Sequence, residues 1–294
     1  MPSLASAGGP THNSALFPAH EMNLDGLFQI VPMLKSADEL YGSLLREDLV
    51  LVDCRSFKEY VAGHIPGAVN ADLFAYHWLD TTKAGLKAFE RQARILFSFL
   101  GITKKSTVVF YDEVAGMSAA RGLWLLEFFS HEHAYMLDGG FRKWTERRLP
   151  VETRTNGNRP ARFSGKTNGK ILVGFEYVRK NLGKATIIDA RTKDEFAGRA
   201  VRAARAGRIP HSINIDWANN LNEDGTMKSL QELGKLYGFS KEDDIITYCQ
   251  GAYRAANTYV ALKMLGFKNV KVYLGSWGEW GNRLDLPVEG DQHQ

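Results

Sequence analysis

Cys249 and Arg254 are the residues of this sequence best suited to chemistry. They lie in YCQGAYRAA at 248–256, where an apolar run ends and a helical segment starts. A helix N-terminus carries about half a positive charge and a cluster of free N–H donors, so an arginine there costs about 0.3–1 kcal/mol unless an anion accompanies it. A cysteine thiolate is such an anion, and also a nucleophile. The amides of Gln250, Gly251, Ala252, Tyr253 and Arg254, with the helix dipole, are expected to hold Cys249 as the thiolate and to accept a negative group that approaches it.

The chain supplies its own comparison. VLVDCRSFKEYVAGHIPGAVN at 50–70 is echoed by TIIDARTKDEFAGRAVRAARAGRIPHSIN at 186–214, TVVFY at 107–111 by DIITY at 244–248, and MLDGGFRKWTERRLPVE by VYLGSWGEWGNRLDLPVE. Matched positions stand about 136 apart, the length of a duplicated domain rather than of a solenoid unit. In the first copy the strand is followed by Asp112-Glu113, as an ordinary helix start requires. In the second, Cys249 stands where Asp112 stood and Arg254 adds a cation. A local rule broken in one copy of a duplication marks that copy as functional. Cys54 follows Asp53 with no cationic loop after it and reads as a core cysteine.

The elements that must position the loop follow from the pattern. Apolar runs at 49–52, 108–111, 187–189 and 245–248 alternate with helical segments such as SADELYGSLLRE at 36–47, with Ser36 and Glu39 in capping-box spacing, and AANTYVALKMLG at 255–266. This predicts an α/β fold, two tandem domains each with a doubly wound parallel sheet covered by helices on both faces. Ligands of such sheets bind beyond the carboxyl ends of strands, where Cys249 falls. The expected boundaries are a flexible leader at 1–27, a first domain at 28–152, a polar linker at 153–170 and a second domain at 171–294.

Tyr60-x3-His64-Ile65-Pro66-Gly67-Ala68, Tyr273-x-Gly275-Ser276-Trp277-x-Glu279-Trp280 and LNEDGTMKSLQEL at 221–233 carry a family likeness. Over residues 30–290 the chain resembles a tandem-domain rhodanese of the sulfurtransferase family. The resemblance implies an inactive first domain and a catalytic second one whose loop opens with the nucleophile. It implies a Cys249 persulfide formed from a small-molecule donor and emptied by a thiol or cyanide, with ping-pong kinetics. It places Arg191 near the donor's charged group and Asp189 as a brace of the loop. Glu195 stands where the family often has a second arginine; Arg199, Arg202, Arg205 and Arg208 read as a solvated basic face that could supply that charge. In the family, relatives using 3-mercaptopyruvate carry Ser or Thr in the loop and those using thiosulfate a cation; CQGAYR has Arg254 and no Ser or Thr, so a dianionic donor such as thiosulfate is expected. 3-Mercaptopyruvate is the alternative donor.

Two other classes stay open. Loops that wrap phosphate have a Cys-x5-Arg form; Cys249-x4-Arg254 is one residue shorter and suits a single added sulfur better, but a phosphatase or arsenate-type reductase is the competing chemistry. A persulfide carrier that serves a specific acceptor protein is the other.

Composition sets the remaining bounds. The 294 residues give 32.9 kDa with 44% apolar and 24% charged residues, enough core for two domains. A net charge of +4 without dense Lys/Arg blocks argues against nucleic-acid binding. No window has the ~18 apolar residues of a membrane span. Two cysteines make no zinc site or disulfide framework, which predicts no metal, no cofactor and a reduced cytoplasmic setting.

Overall fold

Continuous apolar β-branched runs such as LVLVD and DIITY can be buried on both faces only inside a parallel sheet, and parallel strands need helical crossovers. The computed structural model of the chain describes residues 33–290 and shows this pattern twice. The leader expected at 1–27 lies outside the described residues. The first sheet comprises β1 (Leu34–Lys35), β2 (Leu49–Asp53), β3 (Val69–Asn70), β4 (Thr107–Tyr111) and β5 (Ala134–Leu137), in the order β1-β5-β4-β2-β3. The second comprises β6 (Leu172–Val173), β7 (Thr186–Asp189), β8 (Ser212–Asn214), β9 (Asp244–Tyr248) and β10 (Asn269–Tyr273), in the order β6-β10-β9-β7-β8. Every pairing is parallel, and the two orders are the same.

The central strands β4 and β9 run straight into the helices Met117–Phe128 and Tyr253–Met264. These two helices pack against each other, so Leu123, Trp124 and Leu126 share one buried cluster with Tyr259, Val260 and Leu262. The copies therefore have a common core at their junction. Ser36 caps the helix Ala37–Tyr41 with Glu39 in the expected reciprocal box, but the helix stops at Gly42 instead of reaching 47. The stretch 153–168 has no helix or strand and lies along the first copy: Phe163 packs 5.1 Å from Phe97, and the Ala161 N–H meets the Ser98 carbonyl. Its polar composition concealed that anchor.

Candidate active site

Cys249 is the first residue after β9, at the carboxyl end of a central strand, where ligands of such sheets bind. It is 1% exposed. Its N–H donates to Ser276 Oγ at 3.2 Å and its carbonyl accepts from the Trp277 N–H at 2.9 Å, so the residue is fastened on both sides to the turn after β10. Ser276 holds a left-handed φ of 52°, and Ala252, which caps the next helix, holds one of 65°. Non-glycine residues in that region cost about 1 kcal/mol or more, a strain typical of functional loops.

The first copy shows the equivalent loop with a carboxyl in the place of the cysteine. There the Asp112 carboxyl accepts from the amides of Glu113 at 2.8 Å and Ser118 at 3.1 Å, bonds that work against the burial that raises it, so a side-chain oxygen fills the start of the helix Met117–Phe128. Neither helix is capped by the side chain of its N-cap residue, Gly116 or Ala252, and ahead of Tyr253–Met264 the residue in the place of Asp112 is Cys249. The first amides of a helix are where an anion is best placed.

Arg254 is not a free cation. Its guanidinium makes a bidentate pair with Glu195 at 2.6 and 2.9 Å. Burial works to raise the Glu195 carboxyl, but Arg254 overrides it and holds the group at about 2. The position where the family often has an arginine thus neutralises the loop arginine here. Because the folded value lies below the ordinary ~4.3, the pair's contribution is complete above that pH and is lost as pH falls toward 2. The wild type is expected to lose melting temperature over this window more steeply than Glu195→Gln. Parallel slopes in thermal melts across the window would refute the pairing.

Arg191 is enclosed. Its Nε donates to both Asp189 oxygens at 2.9 Å, its Nη2 reaches the Gly207 carbonyl at 2.9 Å, and its guanidinium lies 4.6 Å from the Trp277 ring. Arg55 and Asp53 repeat this arrangement in the first copy, with the Gly63 carbonyl in place of Gly207. The pair is framework common to both copies. Among the four arginines of the insertion, Arg199 pairs with Asp194, Arg205 is folded onto the carbonyls of Trp280, Gly281 and Leu286, and Arg208 binds Glu289. Two of the four are structural rather than a solvated face. Arg202 is different: it is 64% exposed, its Nε stands 3.6 Å from Glu195, and its carbonyl accepts from Gln250 Nε2 at 3.0 Å.

The first copy closes the other side of the loop, which sequence reasoning missed. The Tyr253 hydroxyl donates to the Leu73 carbonyl at 2.7 Å, and its ring stacks 4.5 Å from Phe74. His77 lies so near Gly251 that a β-carbon there would fall 1.9 Å from its Cε1. Burial, then the Arg121 charge, pulls His77 below its ordinary value, so it is neutral at pH 7. Cys54 is buried with its thiol pushed well up by burial, as an unreactive core cysteine would be. Among the described residues no group of His, Cys, Asp or Glu has the arrangement of a metal site.

Comparison with known proteins agrees with this organisation. The Rhodanese-like domain matches twice, at residues 36–147 and 175–283. A thiosulfate sulfurtransferase of Pseudomonas aeruginosa is 32% identical over 274 residues, covering 90% of this chain and 99% of the relative. The sulfur carrier protein TtuD of Thermus thermophilus is 32% identical over 82% of this chain and 88% of its own. Among solved structures, the 3-mercaptopyruvate sulfurtransferase SseA of Escherichia coli superposes with a TM-score of 0.71 at 28% identity, covering 84% of this chain and 99% of SseA. The chain belongs to the rhodanese family of sulfurtransferases, with the family's domain present twice.

Proposed function

We propose that the chain moves a sulfane sulfur from thiosulfate to a thiol or cyanide through a persulfide on Cys249. The observation that carries this reading is the exchange of anions between the copies: a fixed carboxylate, Asp112, occupies the silent helix start, and Cys249 takes its place in the other. The thiolate attacks the outer sulfur of thiosulfate, the S–S bond breaks with its electron pair on sulfite, and Cys249 keeps the transferred sulfur as a persulfide anion. Cyanide or a thiolate then takes that sulfur, leaving as thiocyanate or a new persulfide, and the Cys249 thiolate returns.

Three arginines, Arg191, Arg202 and Arg254, stand against two carboxylates, Asp189 and Glu195, so the loop keeps a surplus positive charge for a dianionic donor. Since the other two are paired, the donor-facing cation is Arg202. Arg202→Ala is expected to raise KM for thiosulfate about tenfold with kcat little changed, as for loss of one charged contact. An unchanged KM in steady-state assays would remove Arg202 from donor binding.

The reading is tested by intact mass after incubation with thiosulfate and removal of excess donor. One added sulfur atom that cyanide then discharges is the expected result; no adduct from either thiosulfate or 3-mercaptopyruvate would sink the proposal. Comparing kcat/KM for the two donors separates them. The likeness to a sulfur carrier protein supports a second outcome, a loaded Cys249 that discharges slowly to cyanide and fast to an acceptor protein.

A further inference from the structure

Arg121, in the helix Met117–Phe128 of the silent copy, is 1% exposed, and among the described residues no carboxylate pairs with it. Its Nη1 reaches the Ala252 carbonyl at 3.4 Å, and its Nη2 is buried without a partner. The rings of Trp124 and Tyr253 lie 4.9 and 5.0 Å from the guanidinium and offset part of the cost of burying it. A buried cation without an anion is among the more destabilising features a core can contain, and it persists where something else uses it.

The duplication shows what is unusual about it. Arg121 is the fifth residue of its helix, and the fifth residue of Tyr253–Met264 is Asn257. Asn257 Nδ2 donates at 2.9 Å to the Ala115 carbonyl in the silent loop. Each helix therefore braces the other copy's loop. The silent loop, whose anion Asp112 is satisfied locally, receives a neutral amide; the loop of Cys249 receives a full charge. An amide suffices for bracing, so the charge needs another explanation.

We propose that Arg121 is a positioning residue for sulfur transfer: it places a positive charge behind the Cys249 loop and polarises the Ala252–Tyr253 peptide, whose N–H opens the catalytic helix, favouring negative sulfur at Cys249. The proposal rests on Cys249 being the working nucleophile. Around the loop, Arg254 is matched by Glu195 and Arg191 by Asp189, while Arg202 is solvated at the rim. The first copy presents His77, which burial and Arg121 hold below its ordinary value, and Asp72, whose charge acts on Tyr253 together with that of Arg121. Arg121 is thus the buried surplus charge. Burial pulls its guanidinium below the ordinary value, and negative charge on Tyr253 and Cys249 acts in the opposite sense.

The test is the rate of Cys249 alkylation by iodoacetamide as a function of pH, followed on the Cys249 peptide by mass spectrometry. Arg121→Met is expected to be alkylated about tenfold more slowly than wild type at pH 7, with the rates converging in alkali. Its melting temperature should hold or rise, because a buried unpaired charge has been replaced by an apolar chain. Arg121→Lys, which keeps the charge, should restore most of the rate. A merely structural arginine gives the reverse: both variants lose melting temperature and neither profile moves. Wild-type alkylation of Arg121→Met at pH 7 overturns the proposal. If that variant does not fold, Arg121→Gln, which keeps a donor for Ala252 and lacks the charge, is judged by the same profile. An Arg121-dependent profile in a protein that takes sulfur from no donor removes the transfer reading and keeps the electrostatic one.

Discussion

Replacing Cys249 by serine is expected to leave a folded protein that takes no sulfur from thiosulfate and forms no thiocyanate. The substitution changes one atom at a buried site whose backbone is held by Ser276 and Trp277, and neither contact uses the sulfur. The fold therefore has little reason to respond. The chemistry has every reason, because a hydroxyl without an adjacent base is not ionised near neutral pH and cannot replace a thiolate as nucleophile or sulfur carrier. Cys54→Ser is the control with the opposite signature. Cys54 is buried with the Val52 carbonyl 3.9 Å from its sulfur, so a hydroxyl there is poorly satisfied and should cost about 1–3 kcal/mol while leaving transfer intact. Thiocyanate assays, intact mass and thermal melts on the two variants decide the matter; measurable loading of Cys249→Ser would show that the carrier is elsewhere.

The second large effect is on stability. Asp189→Asn is expected to cost about 3–5 kcal/mol, since it strands Arg191 in a site that is 1% exposed, between the Asp189 position and the rings of Tyr248 and Trp277. Asp53→Asn removes the equivalent carboxylate from Arg55, but Arg55 Nη1 keeps a second acid, Glu113, at 3.3 Å. Its cost should be smaller. Chemical denaturation measures both. Turnover per folded molecule should fall only for Asp189→Asn, where the Arg191 side chain and Trp277 border the Cys249 loop; an equal fall for Asp53→Asn would show that the brace acts through the whole molecule.

Much of this was legible in the residues. The strand runs are continuous and β-branched, and the repeat aligns them, so both sheets follow from patterning. Cys249 stood out because its own copy has Asp112 in its place. The glycine–serine change between Gly140 and Ser276, both with positive φ, was a readable signal of a strained turn that periodicity alone does not register. Glu195 was harder, because the capping box with Thr192 already explains it locally. Its pairing with Arg254 lies 59 residues away in sequence and needs the fold to be seen. Arg121, Leu73 and His77 were out of reach for the same reason: they come from the other copy, and no sequence pattern measures distance across a junction.

That junction has a consequence for the chain's history. The two copies are no longer equals: the second carries Cys249, while the first provides the hydrogen-bond acceptor of Tyr253, the ring over Gly251 and the guanidinium behind Ala252. The surroundings of the Cys249 loop are drawn from both halves. A duplication ordinarily leaves a spare that mutation can discard, but here the first copy is part of the other's surroundings, so discarding it would remove one wall of the Cys249 loop.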